Sequence, residues 1–185
     1  MKVSKTSFEG ALIVEPDVFK DKRGFIMETF HRHRYSQEGM SADLVQDNLS
    51  FSEKGIIRGL HYQFPNAQAK LVQVIKGEVL DVIVDIRMGS PTFGQWESVI
   101  LSGENKRQFY IPPGFAHGFC VLSAAAFFAY KCSDFYVPDS EGGILWSDPD
   151  IAIDWPVDNP ILSTKDGQYP CLRDILPDRL PLYEK

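Results

Sequence analysis

Short stretches in which apolar and polar residues alternate, cut by Gly- and Pro-rich turns, constrain this 185-residue chain more than any other feature. Within residues 78–87, Leu80, Val82, Val84 and Ile86 form one apolar row opposite Asp81 and Asp85. That period of two is the signature of a strand. Residues 11–14, 25–30, 44–51, 56–63, 69–76, 96–101, 108–111, 115–122 and 126–132 read as further strands. Between them lie turns such as Asp21-Lys22-Arg23-Gly24, Lys76-Gly77, Gly89-Ser90-Pro91 and Pro112-Pro113-Gly114. No strand–helix–strand rhythm appears, so the pattern predicts an antiparallel sandwich or barrel. Residues 31–40 are polar without an apolar stripe and predict a short surface helix or a loop. Beyond Asp134 the chain is rich in Pro, Asp and Trp and reads as a long irregular tail. No repeat or linker divides residues 1–185, which are expected to form a single domain.

The chain can fill a core, with 44% hydrophobic and 12% aromatic residues. Nineteen basic and 25 acidic residues give a formal charge of −6, which argues against nucleic-acid or membrane-surface binding. Cys120, Cys132 and Cys171 are widely spaced and form no CxxC, as expected of reduced thiols. No apolar run approaches a signal peptide or a membrane span, so a cytoplasmic protein is expected. Neither GxGxxG nor GxxxxGK[ST] occurs, which argues against a nucleotide phosphate loop.

Two stretches carry chemistry. In Gly55-Ile56-Ile57-Arg58-Gly59-Leu60-His61-Tyr62-Gln63, an arginine and a histidine share an apolar strand. Burying an unpaired guanidinium costs several kcal/mol, so Arg58 is expected to reach a carboxylate or an anionic ligand. His61, taken alone, is either a satisfied core histidine or a functional group. The two lie three residues apart, so a regular strand would turn them to opposite faces. If they serve one cavity, a bulge is expected at Gly59-Leu60, with Leu60 packed into the wall. In Ile111-Pro112-Pro113-Gly114-Phe115-Ala116-His117-Gly118-Phe119, a sharp corner precedes a strand whose His117 faces what the His61 strand faces. Gln46, Asn48 and Ser50 share a strand face, either an exposed polar surface or a hydrogen-bonding wall. His31 and His33 sit among Arg32 and Arg34, whose charge argues against a metal there.

The PxGxxH spacing resembles the second motif of the cupin family. The first cupin motif supplies HxH and then a glutamate; here the strand reads His61-Tyr62-Gln63, and residues 66–70 contain no glutamate. Three protein ligands are the usual minimum for a catalytic metal, so neither a metal nor any other cofactor is expected. Further motifs fall in order: Arg23-Gly24-Phe25, Gln46-Asp47-Asn48-Leu49-Ser50, Arg58-Gly59-Leu60-His61, Gly77-Glu78-Val79-Leu80-Asp81-Val82, Ser90-Pro91-Thr92-Phe93-Gly94, Tyr130-Lys131-Cys132, Ser140-Glu141-Gly142-Gly143-Ile144 and Leu162-Ser163-Thr164-Lys165-Asp166. Together they resemble the dTDP-4-dehydrorhamnose 3,5-epimerase family.

The resemblance implies an all-β, cupin-like antiparallel jelly-roll barrel with short peripheral helices and an irregular C-terminal tail. It implies an isomerase that inverts C3 and C5 of dTDP-4-dehydro-6-deoxy-D-glucose, supplying rhamnose for cell-surface polysaccharide. A mono-epimerase acting on C3 or C5 alone is the alternative. By the same resemblance His61 is the base, oriented by Asp166; Tyr130 is the acid; and Lys70 holds the enolate oxygen. Arg23, Arg58, His117 and Lys165 are implied for the diphosphate and sugar, with Glu28, Gln46, Asn48 and Glu141 on the remainder of the ligand. Arg23 and Glu28 are implied to come from a strand exchanged with a second subunit, hence a homodimer. Asp81 receives no role.

Overall fold

The computed structural model describes residues 1–183. In chain order the strands are β1 (Lys2–Lys5), β2 (Leu12–Glu15), β3 (Val18–Asp21), β4 (Gly24–Met27), β5 (Gln46–Glu53), β6 (Ile57–Gln63), β7 (Lys70–Lys76) and β8 (Glu78–Asp85). There follow β9 (Trp96–Ser102), β10 (Gln108–Ile111), β11 (Phe115–Val121), β12 (Ala125–Cys132) and β13 (Glu141–Gly143). The expected strands appear where the alternation placed them. β1, β3 and β13 were not foreseen, because Lys2-Val3-Ser4-Lys5, Val18-Phe19-Lys20-Asp21 and Glu141-Gly142-Gly143 are too short or too polar to carry an apolar pattern.

Strands β1-β2-β10-β7-β12-β5 form one antiparallel sheet and β13-β6-β11-β8-β9 another. The tight turn at Gly77 joins β7 to β8 and so carries the chain from one sheet to the other. Only glycine fits there: φ is +91°, and an added Cβ would meet the Ala125 carbonyl oxygen at 2.1 Å. The inner faces meet in a core that includes Val72, Val74, Val79, Ile83, Phe109, Phe119 and Phe128. This is the expected cupin-like jelly roll, but the ladders stay separate instead of closing into a barrel. The edges β5 and β13 leave one side open as a mouth.

The tail has a structural task that its composition concealed. It lies over the outer face of the five-stranded sheet, where Ile144, Ile151, Leu172 and Leu180 cover Leu60, Val82, Val84 and Ile86. Each such aliphatic side chain contributes about 1.5–3 kcal/mol when taken fully out of water. The apolar row of β8 is therefore buried under the tail, while Val79 and Ile83 of its other face enter the inter-sheet core. Residues 31–40 form a helix, α1 (Arg32–Gln37), whose Tyr35 is buried. His31 caps that helix, its ring Nδ1 accepting from the Arg34 N–H.

Asp85 is the best-satisfied buried charge. Its carboxylate accepts from Arg87 Nε (2.9 Å) and Nη2 (2.8 Å), Ser90 Oγ (2.6 Å) and Thr92 Oγ1 (2.6 Å). The guanidinium is stacked on Phe115 in turn. Burial pushes the Asp85 carboxyl up, but the bonds from Arg87, Ser90 and Thr92 outweigh it and hold it below its ordinary value.

Among the described residues no helix is long and apolar enough to cross a membrane. Cys120, Cys132 and Cys171 are free thiols.

Asp85→Ala strips Arg87 of its partner and is expected to cost about 3–5 kcal/mol, read by urea unfolding at neutral pH. Because the folded-state carboxyl lies below its unfolded value, its stabilisation is present above about pH 4 and lost as pH falls further. The variant should lack that component of the acid transition.

Candidate active site

The site begins at the irregularity in β6. Against β11, His61 pairs with His117 and Arg58 with Phe119, so three steps along β6 match two along β11. The extra residue is the bulge expected at Gly59-Leu60. Leu60 is fully buried in the outer cluster beneath the tail. Arg58 and His61 line one cavity of about 280 Å³. Gly59 has φ +140°, and a Cβ there would stand 2.5 Å from Gly118 Cα. The two backbones touch because neither residue carries a side chain.

Arg58 corrects one expectation: it is exposed, not buried, and reaches no carboxylate. Its Nε donates to Ser52 Oγ at 2.9 Å and its Nη2 to the Phe51 carbonyl at 3.3 Å. It thereby ties edge strand β5 to β6 across the mouth.

The tail returns to β6 through a bridge between Ile56 and Ile161 and delivers Asp166 beneath His61. His61 Nε2 lies 2.6 Å from Asp166 Oδ1. Burial raises the Asp166 carboxyl, but the His61 ring, Ser163 and the Gly59 N–H together hold it below its ordinary value. An ionised Asp166 makes Nε2 the donor, which leaves the Nδ1 lone pair for chemistry.

Lys70 of β7 and Tyr130 of β12 line the same cavity from the six-stranded sheet. Burial pushes the Lys70 ammonium down, opposed by neighbours that include Asp81 and Glu141. Burial pushes the Tyr130 phenol up, so it stays protonated at neutral pH.

His117 is almost wholly buried, with Nε2 2.9 Å from Asp81 Oδ2. Burial raises Asp81 and lowers His117, so burial favours the neutral forms of both groups in this hydrogen-bonded pair. Part of the hydrogen-bonding capacity that the resemblance gave to a ligand is therefore committed to Asp81. That partner had no role in the sequence reading, although strand parity already set it opposite the apolar row.

At the rim Glu141 accepts from Tyr136 Oη at 2.6 Å and pairs with Lys165 Nζ. Burial raises the Glu141 carboxyl, but Lys165 and Tyr136 hold it below its ordinary value. Gln46 and Asn48 line an adjoining cavity of about 330 Å³ with His61, Lys70, Tyr130 and Glu141. Gln46 Nε2 donates to Asn48 Oδ1 at 3.1 Å, and Gln46 Oε1 holds the Tyr136 N–H at 2.9 Å. Gln46 and Asn48 act as a hydrogen-bonding wall, whereas Ser50 Oγ on the same face is buried without a partner among the described residues. Tyr136 was missed, since nothing in the tail marks it.

Arg23 and Glu28 are not brought to this cavity. Arg23 stands exposed at the tip of the β3–β4 hairpin, bonded to Asp21, and Glu28 pairs with Arg34. Among the described residues no three His, Cys, Asp or Glu side chains cluster as a metal would require. His61 and His117 each turn a ring nitrogen onto a separate carboxylate.

A two-sheet jelly roll with an oriented imidazole facing an amine and a phenol defines a cupin-like protein equipped for proton transfer. The profile of the family described as dTDP-4-dehydrorhamnose 3,5-epimerase matches residues 5–174. The enzyme of that name from Shigella flexneri is 58% identical over 168 residues, covering 90% of this chain and 93% of that one. A dTDP-6-deoxy-D-glucose-3,5-epimerase from Legionella pneumophila, solved with dTDP-4-keto-L-rhamnose, superposes with TM-score 0.97 at 54% identity. It covers 100% of this chain and 99% of that one. A 3′-monoepimerase from Streptomyces bikiniensis, solved with dTDP-quinovose, superposes with TM-score 0.89 at 38% identity over 96% of this chain and 92% of that one. The chain belongs to the dTDP-4-dehydrorhamnose 3,5-epimerase family and is an isomerase.

Gly59→Val bears on both the site and the fold. The 2.5 Å approach to Gly118 Cα makes it costly to both, because the obstacle is backbone. The variant is expected to melt several degrees below wild type, by roughly 4 °C or more, in a thermal scan. An unchanged melting temperature would mean that β6 and β11 can part without penalty.

Proposed function

We propose that this chain inverts C3 and C5 of dTDP-4-dehydro-6-deoxy-D-glucose to give dTDP-4-dehydro-L-rhamnose, with no metal or redox cofactor. The observation that carries the reading is the division of groups between the two sheets. His61, oriented by Asp166, rises from the five-stranded sheet; Lys70 and Tyr130 face it from the six-stranded one. Both inverted carbons adjoin the C4 ketone, so each can lose its proton to give an enolate.

His61 Nδ1 takes the proton from one face, and the electron pair of the C–H bond passes into the C4 oxygen. The Lys70 ammonium stabilises that oxyanion, and Asp166 stabilises the imidazolium. The Tyr130 hydroxyl returns a proton to the opposite face of the same carbon, the ketone re-forms and the centre is inverted. Its phenolate then recovers a proton from solvent, as His61 loses one. Arg58, Lys165 and His117 bind the diphosphate and sugar, while Gln46, Asn48 and Glu141 contact the rest of the ligand.

Arg23 and Glu28 belong to this reading through a second copy of the chain. The hairpin that carries Arg23 exposes Phe19, Phe25 and Ile26, the last at 72%, an apolar surface suited to burial in a homodimer. Residues 1–185 act as one domain in each subunit. Free thiols in an acidic chain suit the reducing cytoplasm.

The test is incubation with dTDP-4-dehydro-6-deoxy-D-glucose in deuterated water. Deuterium is expected at both C3 and C5. Incorporation at one carbon alone would establish the mono-epimerase, the alternative suggested by the likeness to the Streptomyces protein. His61→Ala is expected to remove exchange at both carbons, and Asp166→Asn to slow it on the order of 10²–10⁴-fold while the protein stays folded. Exchange persisting in folded His61→Ala protein would take His61 out of the base role. Full activity is expected after exhaustive chelation; loss restored by a divalent ion would overturn the cofactor-free chemistry.

Hairpin exchange has its own check. Removing the apolar contacts with Phe25→Asp and Ile26→Asp is expected to shift the protein toward monomer in sedimentation and to raise KM through loss of Arg23. A monomeric wild-type protein with normal KM would exclude the exchanged strand.

A further inference from the structure

One hydrogen bond does not fix an imidazole. Asp166 holds His61 at Nε2, but the ring can still turn about that bond, and turning swings Nδ1 away from the cavity. Something must close this freedom.

We propose that Tyr169 is a positioning residue for His61, its ring wedged beside the imidazole so that Nδ1 stays aimed across the cavity. The proposal rests on His61 serving as the base. Tyr169 follows the single 3-10 turn Asp166–Gln168, so the segment that brings in the orienting carboxylate also brings in the wedge. Its ring meets the imidazole edge-on, with centroids 5.8 Å apart and planes at 67°. Such aromatic pairs add stabilisation beyond their buried area.

The space for the wedge comes from Gly143, the residue paired with His61 across β13 and β6. A Cβ on Gly143 would fall 2.4 Å from Cζ and Cε2 of Tyr169. The glycine is therefore a socket for the ring directly beside the imidazole. Lys165 closes the outer side, its Nζ lying 6.0 Å from the ring centroid.

The hydroxyl explains nothing about why a tyrosine stands there. It is buried without a hydrogen-bond partner of good geometry, although the Lys165 ammonium lies beside it. Burial pushes the phenol up to about 12, against the pull of Lys165, so it stays protonated near neutral pH. The ring is the working part.

The test uses full-length protein with Tyr169→Leu, Tyr169→Phe and Gly143→Ala, measuring kcat and KM separately. It also records the His61 imidazole signals of 15N-histidine-labelled protein, assigned with His61→Ala. Tyr169→Leu is expected to lower kcat about 10- to 100-fold, since small misplacements of a reacting group cost that much, with KM within about threefold. Its His61 signals should broaden or shift in the free protein. Tyr169→Phe keeps the wedge and should restore kcat to within about threefold of wild type, with sharp His61 signals. Gly143→Ala displaces the ring by an independent route and should reproduce the Leu phenotype, which covers the case in which Tyr169→Leu does not fold.

Wild-type kcat and unmoved His61 signals in the folded variants would overturn the proposal. So would a Phe variant as defective as Leu, which would assign the role to the hydroxyl. The imidazole signals report positioning whether or not the epimerisation reading holds: an inactive wild type refutes that reading, while unmoved signals refute this one.

Discussion

Gly59 and Gly118 meet backbone against backbone, and the composition of the cavity depends on that contact. β6 must give two side chains three residues apart to the same side, which a regular strand cannot do. The added residue resolves the conflict by sending Leu60 into the cluster under the tail while Arg58 and His61 share the cavity. Such a step in the ladder needs room on the partner strand, and Gly118 supplies it: a Cβ there would stand 2.8 Å from the Arg58 carbonyl oxygen. Packing and chemistry therefore impose the same requirement on these two positions. Leu60 anchors the outer core at the point where its neighbours become functional.

From this point the sheets divide the labour. A planar enolate can be inverted only if proton removal and proton return come from opposite sides. Two facing sheets with a cavity between them are a rigid means of holding groups at that separation. His61 sits on one ladder and Tyr130 and Lys70 on the other. The tail completes the His61 side, so Asp166 reaches His61 across 105 residues of sequence. Apolar residues of the tail seal the outer face, and its polar residues Asp166, Lys165 and Glu141 gather at the mouth. The aliphatic packing of the tail thus sets where the orienting carboxylate stands.

Period-two alternation made the strands legible, because most have faces in contrasting environments. The same rule predicted the bulge, since it makes Arg58 and His61 incompatible on a regular strand. Legibility failed where partners come from distant chain or from mixed burial. Arg58 looked like a buried charge because its neighbours are apolar, yet it lies at an edge where β5 and β6 leave the sheet open. Asp81 was visible as the polar break in β8, but its partner His117 lies on the adjacent strand and parity names no partner. Asp166 has a local pattern that suits a loop cap equally well, and only the family resemblance linked it to His61. Tyr169 gave no signal at all, because a wedge is defined by the space that Gly143 leaves. The tail's covering of β8 was hidden by its Pro-rich composition, which suggested irregular structure and said nothing of where that structure packs.

How so acidic a chain can accept a diphosphate follows from which charges are already engaged. Within the cavities, Asp166 is bonded to His61, Asp81 to His117 and Glu141 to Lys165. Arg58 is held by a serine hydroxyl and a carbonyl, which direct the guanidinium without neutralising it. Lys70 is driven toward neutrality by burial, so an arriving negative charge stabilises its ammonium as much as the ammonium stabilises that charge. Neither residue is in a salt bridge among the described residues, and they stand on different walls, Arg58 on the five-stranded sheet and Lys70 on the six-stranded one. A ligand with a permanent anion at one end and a developing oxyanion at the other fits that spacing. The formal charge of −6 is a property of the whole chain, and local pairing inside the cavity decides what binds.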